Sequence, residues 1–190
     1  LPWPAFVPVR SMHSLVLHCV APQWRPTAPG PVAGALADAG LIGAAQGDDT
    51  LLYCAGEQFL SLVMFLGCSP QISLSEADAG DGQPVCRIRL HHFEEVTLVE
   101  SQPSPALRCA SCRAAQQRPS PLQYNQQQVC VKCGVSVPLY RYDWRRGAGF
   151  GRFFVEIENV FPHEAVPADL LMSILESLSG SRWEYFYLSR

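Results

Sequence analysis

The sequence predicts an α+β protein: a mixed or antiparallel sheet with two to three helices, and a small β-rich module inserted into it. Three patterns carry this expectation. Cys86, Ile88 and Leu90 alternate with Arg87, Arg89 and His91, the period-two signature of a strand with one apolar face. Leu170, Leu171, Ile174, Leu175 and Leu178 recur at helical spacing. Between these stretches stand two Cys-x-x-Cys pairs, Cys109/Cys112 and Cys130/Cys133, seventeen residues apart. With 190 residues, 48% of them hydrophobic, the chain can bury a sizeable core as one large domain or two small ones.

Residues 1–11 are Pro-rich and read as an N-terminal extension, with Met12 a candidate start. They lack the basic start and apolar run of a secretory signal. His13 to Val20 predicts a first strand, and Pro31 to Ala39 a short helix closed by Gly40. Thr50 to Cys54 predicts a strand. Glu57 to Leu66 is apolar almost all round and predicts a buried helix, ended by Gly67 and Ser69-Pro70. Gln71 to Leu74 is a short strand. Val85 to Glu100 is the clearest strand region, and a bend at His92-Phe93-Glu94 is expected to split it into a hairpin.

After the cysteines, Gly147-Ala148-Gly149 supplies a break. Phe153 to Phe161 alternates, with Phe154, Glu156, Glu158 and Val160 on one face. Pro167 opens the helix of the leucine stripe, which ends at Gly180. Trp183 to Leu188 is a closing aromatic strand. The arrangement is loosely ferredoxin-like. Its expected parts are an α+β domain over 12–106, a cysteine module over 107–146, and a strand-helix-strand over 147–190 docking on that domain.

Charge is uneven. Residues 107–152 carry seven Arg and one Lys against one Asp, a net +7, while the whole chain is −3. Of the eight cysteines, Cys19, Cys54, Cys68 and Cys86 are scattered through apolar runs, which suits buried, reduced thiols and a cytoplasmic protein. The most apolar window, 51–68, is too short and too interrupted for a comfortable membrane span. The chain lacks a phosphate-binding glycine loop, a nucleophile elbow, a His-Glu-x-x-His motif and a dinucleotide fingerprint.

Each Cys-x-x-Cys can place two thiolates on one metal ion, and the span between the pairs suits a hairpin that unites them. Gly134 follows the second pair, where a knuckle needs a tight turn; Arg113 follows the first and is less typical. Through Cys109, Cys112, Cys130 and Cys133, residues 107–140 resemble the zinc-ribbon superfamily. The resemblance implies one structural Zn²⁺ per chain in a closed Cys₄ site. Rubredoxin-type iron shares the ligand set, and a redox dithiol is a third reading.

Around the module, Arg141, Tyr142, Trp144, Arg145 and Arg146 form the candidate binding surface. The leading expectation is a protein partner or a second copy of the chain. The alternative is a nucleic acid held by segment 140–152, where cations and rings interleave. A third reading is an enzyme using Glu156, Glu158 and His163 as a carboxylate–histidine site. His91 and His92 point to opposite faces and read as structural, as do His18 and Cys19.

Overall fold

The structure, a computed structural model, describes residues 13–67, 72–77, 79 and 84–190. The readings of residues 1–11, Met12 and Cys68 fall outside that set, as does Gln71 of the expected strand 71–74. The elements in chain order are β1 (His13–Cys19), α1 (Pro29–Asp38), β2 (Ile42–Gln46), β3 (Asp49–Ala55), α2 (Phe59–Leu62), β4 (Val63–Phe65) and β5 (Arg87–Glu100). They continue with β6 (Gln127–Val129), β7 (Ser136–Pro138), a 3-10 turn (Leu139–Arg141), β8 (Ala148–Glu158), β9 (Ala165–Pro167), α3 (Asp169–Ser179) and β10 (Trp183–Ser189).

Six strands form one sheet in the order β10-β1-β8-β5-β3-β2, antiparallel throughout. The fold is α+β. Within it β1, β5, β8 and β10 make a ferredoxin-like unit: α1 follows the first of these strands, β5 and β8 pair as a hairpin, and α3 precedes the last. Both helices cover the same face. Val32 and Leu36 of α1 and Leu171 and Leu175 of α3 pack with Leu15, Leu17, Ile88, Leu90, Val155 and Ile157 in the main core. The hairpin β2–β3 extends the sheet at the β5 edge. The cysteine module is inserted between β5 and β8.

Several local expectations are corrected. The helix over 57–66 shrinks to the single turn of α2, because Val63, Met64 and Phe65 leave it to pair with Pro167, Val166 and Ala165. The same pairing holds Pro167 in β9, so α3 starts two residues later than that proline. β5 is not a hairpin. It runs unbroken for 14 residues, and a bulge between His92 and Thr97 takes up the bend. Asn159 at φ +63° breaks the alternation after β8, sending Val160 into the core and leaving Phe161 half exposed. The hairpin β2–β3, absent from the expected elements, turns on a local signal: Gly47, at φ +57°, opens the two-residue Gly-Asp loop joining Gln46 to Asp49.

The far half of the β5–β8 hairpin curls across the other face of the sheet. That face carries Val16, Phe154, Phe186 and Leu188, with Phe93 and Val99 packed on them. Gly149 permits the close approach: a Cβ there would sit 2.6 Å from Phe186 Cε1 and 2.9 Å from His18 Nε2. His18 Nδ1 lies 3.2 Å from the Phe150 carbonyl, and the Tyr187 N–H donates to the Arg146 carbonyl (3.0 Å). The base of the inserted module is thereby seated against β1 and β10.

Candidate metal centre

The module is two copies of one turn. In the first, Cys109 N–H donates to Ala114 C=O (3.0 Å) and Arg113 N–H to Cys109 C=O (3.0 Å). In the second, Cys130 N–H donates to Val135 C=O (2.8 Å) and Gly134 N–H to Cys130 C=O (2.9 Å). The second turn joins β6 to β7. The first is tied to the end of the module by reciprocal bonds between Arg108 and Asp143, both 2.9 Å. Leu107, Leu139, Tyr142, Trp144 and Phe150 pack beneath the two turns with Cys109 and Cys130.

All four sulfurs lie within 4.8 Å of one another, with Cys109 Sγ to Cys133 Sγ at 3.8 Å and Cys112 Sγ to Cys130 Sγ at 3.6 Å. Zn–S bonds of about 2.3 Å imply a tetrahedron with edges of about 3.8 Å, so the donor set fits a four-coordinate ion. A disulfide needs about 2.05 Å between sulfurs, and these four cysteines are free. Each Cys-x-x-Cys lies in a turn rather than at the start of a helix, unlike a thioredoxin-type dithiol.

The backbone prepares the thiolates. The amide of Cys133, together with that of Lys132, pulls the Cys130 thiol down to about 6 against the opposing effect of desolvation. The Cys112 amide lowers Cys109 in the same sense. For Cys133 the Val135 amide also lowers the value, but desolvation and the three neighbouring sulfurs outweigh it and push the thiol up to about 11. Four sulfurs this close resist simultaneous ionisation unless a cation sits between them. Gln116 Nε2 and Lys132 N–H add donors at 3.4 Å from Cys130 Sγ.

Comparisons with family profiles, with curated proteins and with solved structures return no match. The chemistry therefore rests on this geometry. Among the described residues, no helix is long and apolar enough to cross a membrane.

The candidate binding set divides. Arg141, Arg145 and Arg146 are exposed, whereas Tyr142 and Trp144 are each only 5% exposed. Tyr142 Oη donates to Gln128 C=O (2.8 Å) and Trp144 Nε1 to Leu139 C=O (3.2 Å). These two rings are the floor of the module and cannot present stacking faces. The sequence pattern of alternating Arg and aromatic residues did not say which side the rings would take; a module this small needs its aromatics for a core.

The enzyme set does not converge. Glu156 and Glu158 lie on the face of the sheet opposite the main core, while the His163 ring packs on Tyr187 of that core at 4.7 Å. Glu156 is 1% exposed and bonds His91 Nε2 (2.7 Å) and Arg190 Nη1 (3.0 Å). Glu158 accepts from Arg89 Nε (2.8 Å), the cross-strand pairing that alternating charges on β5 and β8 suggest. Arg190 lies one residue past β10, and only the sheet order β10-β1-β8 brings it to Glu156. His92 bonds Pro26 C=O instead, so the two adjacent histidines do face opposite ways.

Proposed function

We propose that Cys109, Cys112, Cys130 and Cys133 hold one structural Zn²⁺ in a zinc-ribbon module, and that the chain is a cytoplasmic binding protein engaging a protein partner. The observation that carries this reading is the closed tetrad. Four protein sulfurs fill a tetrahedral shell and leave no position for water or substrate, so the ion's role is to hold two turns in register. Metal binding then supplies stability to a segment whose small core includes the ligands Cys109 and Cys130 themselves.

A protein partner is favoured by exposed apolar side chains around the small β4–β9 sheet, including Leu60, Met64, Leu66 and Phe161, and by exposed arginines beside the ribbon. The nucleic-acid reading keeps those arginines but lacks Tyr142 and Trp144 as platforms. Elemental analysis of purified, untagged protein, paired with melting curves with and without a strong chelator, tests the proposal. One zinc per chain and a large loss of stability on stripping support it; no metal, or a coloured iron centre, overturns it.

A further inference from the structure

The outer edge of β10 is closed at Tyr187 and Ser189, takes the Glu176 carboxylate at the Trp183 N–H (3.4 Å), and is open at Tyr185 between them. Tyr187 points its backbone away from β1: its N–H donates to Arg146 C=O (3.0 Å) and its C=O accepts from the Ser101 hydroxyl (2.9 Å). Ser189 C=O accepts from Gln102 N–H (2.8 Å). Alternation along an antiparallel strand sends the N–H and C=O of Tyr185 the same way. Among the described residues, nothing bonds to them. Such an edge is a template for another strand unless it is covered.

A groove of about 410 Å³ runs along this open edge, bounded by Arg146, Met172, Arg182 and Tyr185. The Arg146 guanidinium lies 4.9 Å over the Tyr185 ring and donates to its hydroxyl (3.0 Å). Arg182 stands at the mouth beside Glu184, an exposed pair at 2.6 Å. Arg182 also borders an adjoining groove with Arg141. Neither the Arg141 nor the Arg145 guanidinium has a carboxylate partner among the described residues, although the Arg145 backbone N–H donates to Asp143 Oδ1 (2.7 Å).

The turn that delivers two of these cations is conformationally costly. Gly147 N–H bonds Trp144 C=O (3.0 Å) across Arg145 and Arg146, which hold φ +54° and +52°. This is a type I′ turn, whose central positions favour Asn-Gly. Arginine at each position costs about 1 kcal/mol relative to a residue at ease there, and cost of this kind collects at functional sites.

We infer that an extended, acidic peptide segment of a protein partner adds as a short strand to β10 at Tyr185. Its backbone bonds Tyr185, and its carboxylates meet Arg146 and Arg182, with Arg141 and Arg145 flanking. The inference rests on the protein-binding reading above. An acidic peptide is favoured over nucleic acid because the open Tyr185 N–H and C=O call for a peptide backbone, which a nucleic acid lacks, and because Tyr142 and Trp144 are buried and offer no base-stacking faces.

The test titrates metal-loaded protein with a fluorescent alternating valine–glutamate pentapeptide at low salt, and follows amide hydrogen exchange. A valine–lysine pentapeptide and an oligothymidylate decamer serve as competing probes. The acidic peptide is expected to bind and to slow exchange of the Tyr185 amide. The double variant Arg146→Glu, Arg182→Glu should weaken binding by about tenfold or more while keeping its circular dichroism; Arg182→Gln should weaken it less. Binding that leaves the Tyr185 amide unchanged, or ignores the charge reversal, overturns the edge assignment but spares the protein-binding reading. No peptide binding overturns the edge assignment; oligothymidylate binding in place of peptide overturns both.

Discussion

Arg113 and Gly134 occupy the same place in the two knuckles and share one left-handed backbone conformation, φ +61° and +72°. Each sends its N–H back to the first cysteine of its own turn. Only glycine adopts this region at no steric cost. Arg113 also pairs with Asp143 across the surface, but an ion pair this exposed contributes little. Arg113→Gly should therefore be more stable than Arg113→Ala by about 1 kcal/mol, since both lose the ion pair and only glycine relieves the strain. Denaturant unfolding of the metal-loaded proteins measures it, and equal stability of the two variants would contradict the argument.

Removal of the proposed metal should melt the cysteine module before the sheet. Among the described residues, the module's named elements are two three-residue strands and a 3-10 turn, supplemented only by isolated bridges at Arg108, and its core includes Cys109 and Cys130 themselves. Cys130→Ser should abolish stoichiometric zinc and speed hydrogen exchange at the Arg113 and Gly134 amides. Cys54→Ser, outside the tetrad, should retain one zinc per chain. Loss of zinc in both variants would mean that the ion is not held where the four sulfurs meet.

Acid should destabilise the protein in two stages. Burial alone would raise the Glu156 carboxyl, but its bonds to His91 and Ser14 and the Arg190 guanidinium outweigh burial and hold it at about 2. A folded pKa depressed from 4.5 stabilises the native state above that value, and the contribution is lost as pH falls towards 2. Its size is about 3 kcal/mol. His18 acts earlier: burial lowers its pKa below 6.5, so below that pH the unfolded chain takes up a proton that the native state refuses. Stability followed by denaturant midpoint from pH 7 to 2 should show both limbs. Glu156→Gln should flatten the lower limb and spare the upper one.

Gly149→Ala should cost about 1–3 kcal/mol, because the added methyl meets Phe186 and the His18 ring where β8 crosses the sheet. Gly34→Ala has open space within α1 and should stabilise by about 0.5–1 kcal/mol through helix propensity. Thermal melts of the two variants should move in opposite directions. A neutral Gly149→Ala would show that the β5–β8 hairpin is not pressed against β1 and β10 as described.

What was readable in advance is local. The two Cys-x-x-Cys pairs announce a shared site because four soft ligands at short spacing have few other uses. The stripe ending at Leu178 announces α3, and the alternation from Cys86 announces β5. Segment 57–66 misled because an all-round apolar run satisfies a buried helix and a buried strand equally; the partner in β9, about a hundred residues away, decided between them. The ring positions of Tyr142 and Trp144 were unreadable for a similar reason.

By itself, then, the sequence determined the α+β class, the candidate four-cysteine site and most strand and helix positions, since each follows from residue type and spacing within a few turns of chain. Tertiary structure decided the rest. It curled the β5–β8 hairpin over the sheet, parted His163 from Glu156 by placing them on opposite faces, brought Arg190 to Glu156, and left the Tyr185 edge open beside Arg146 and Arg182. Those relations depend on strand order and on which face meets water, and neither is encoded in any single stretch of residues.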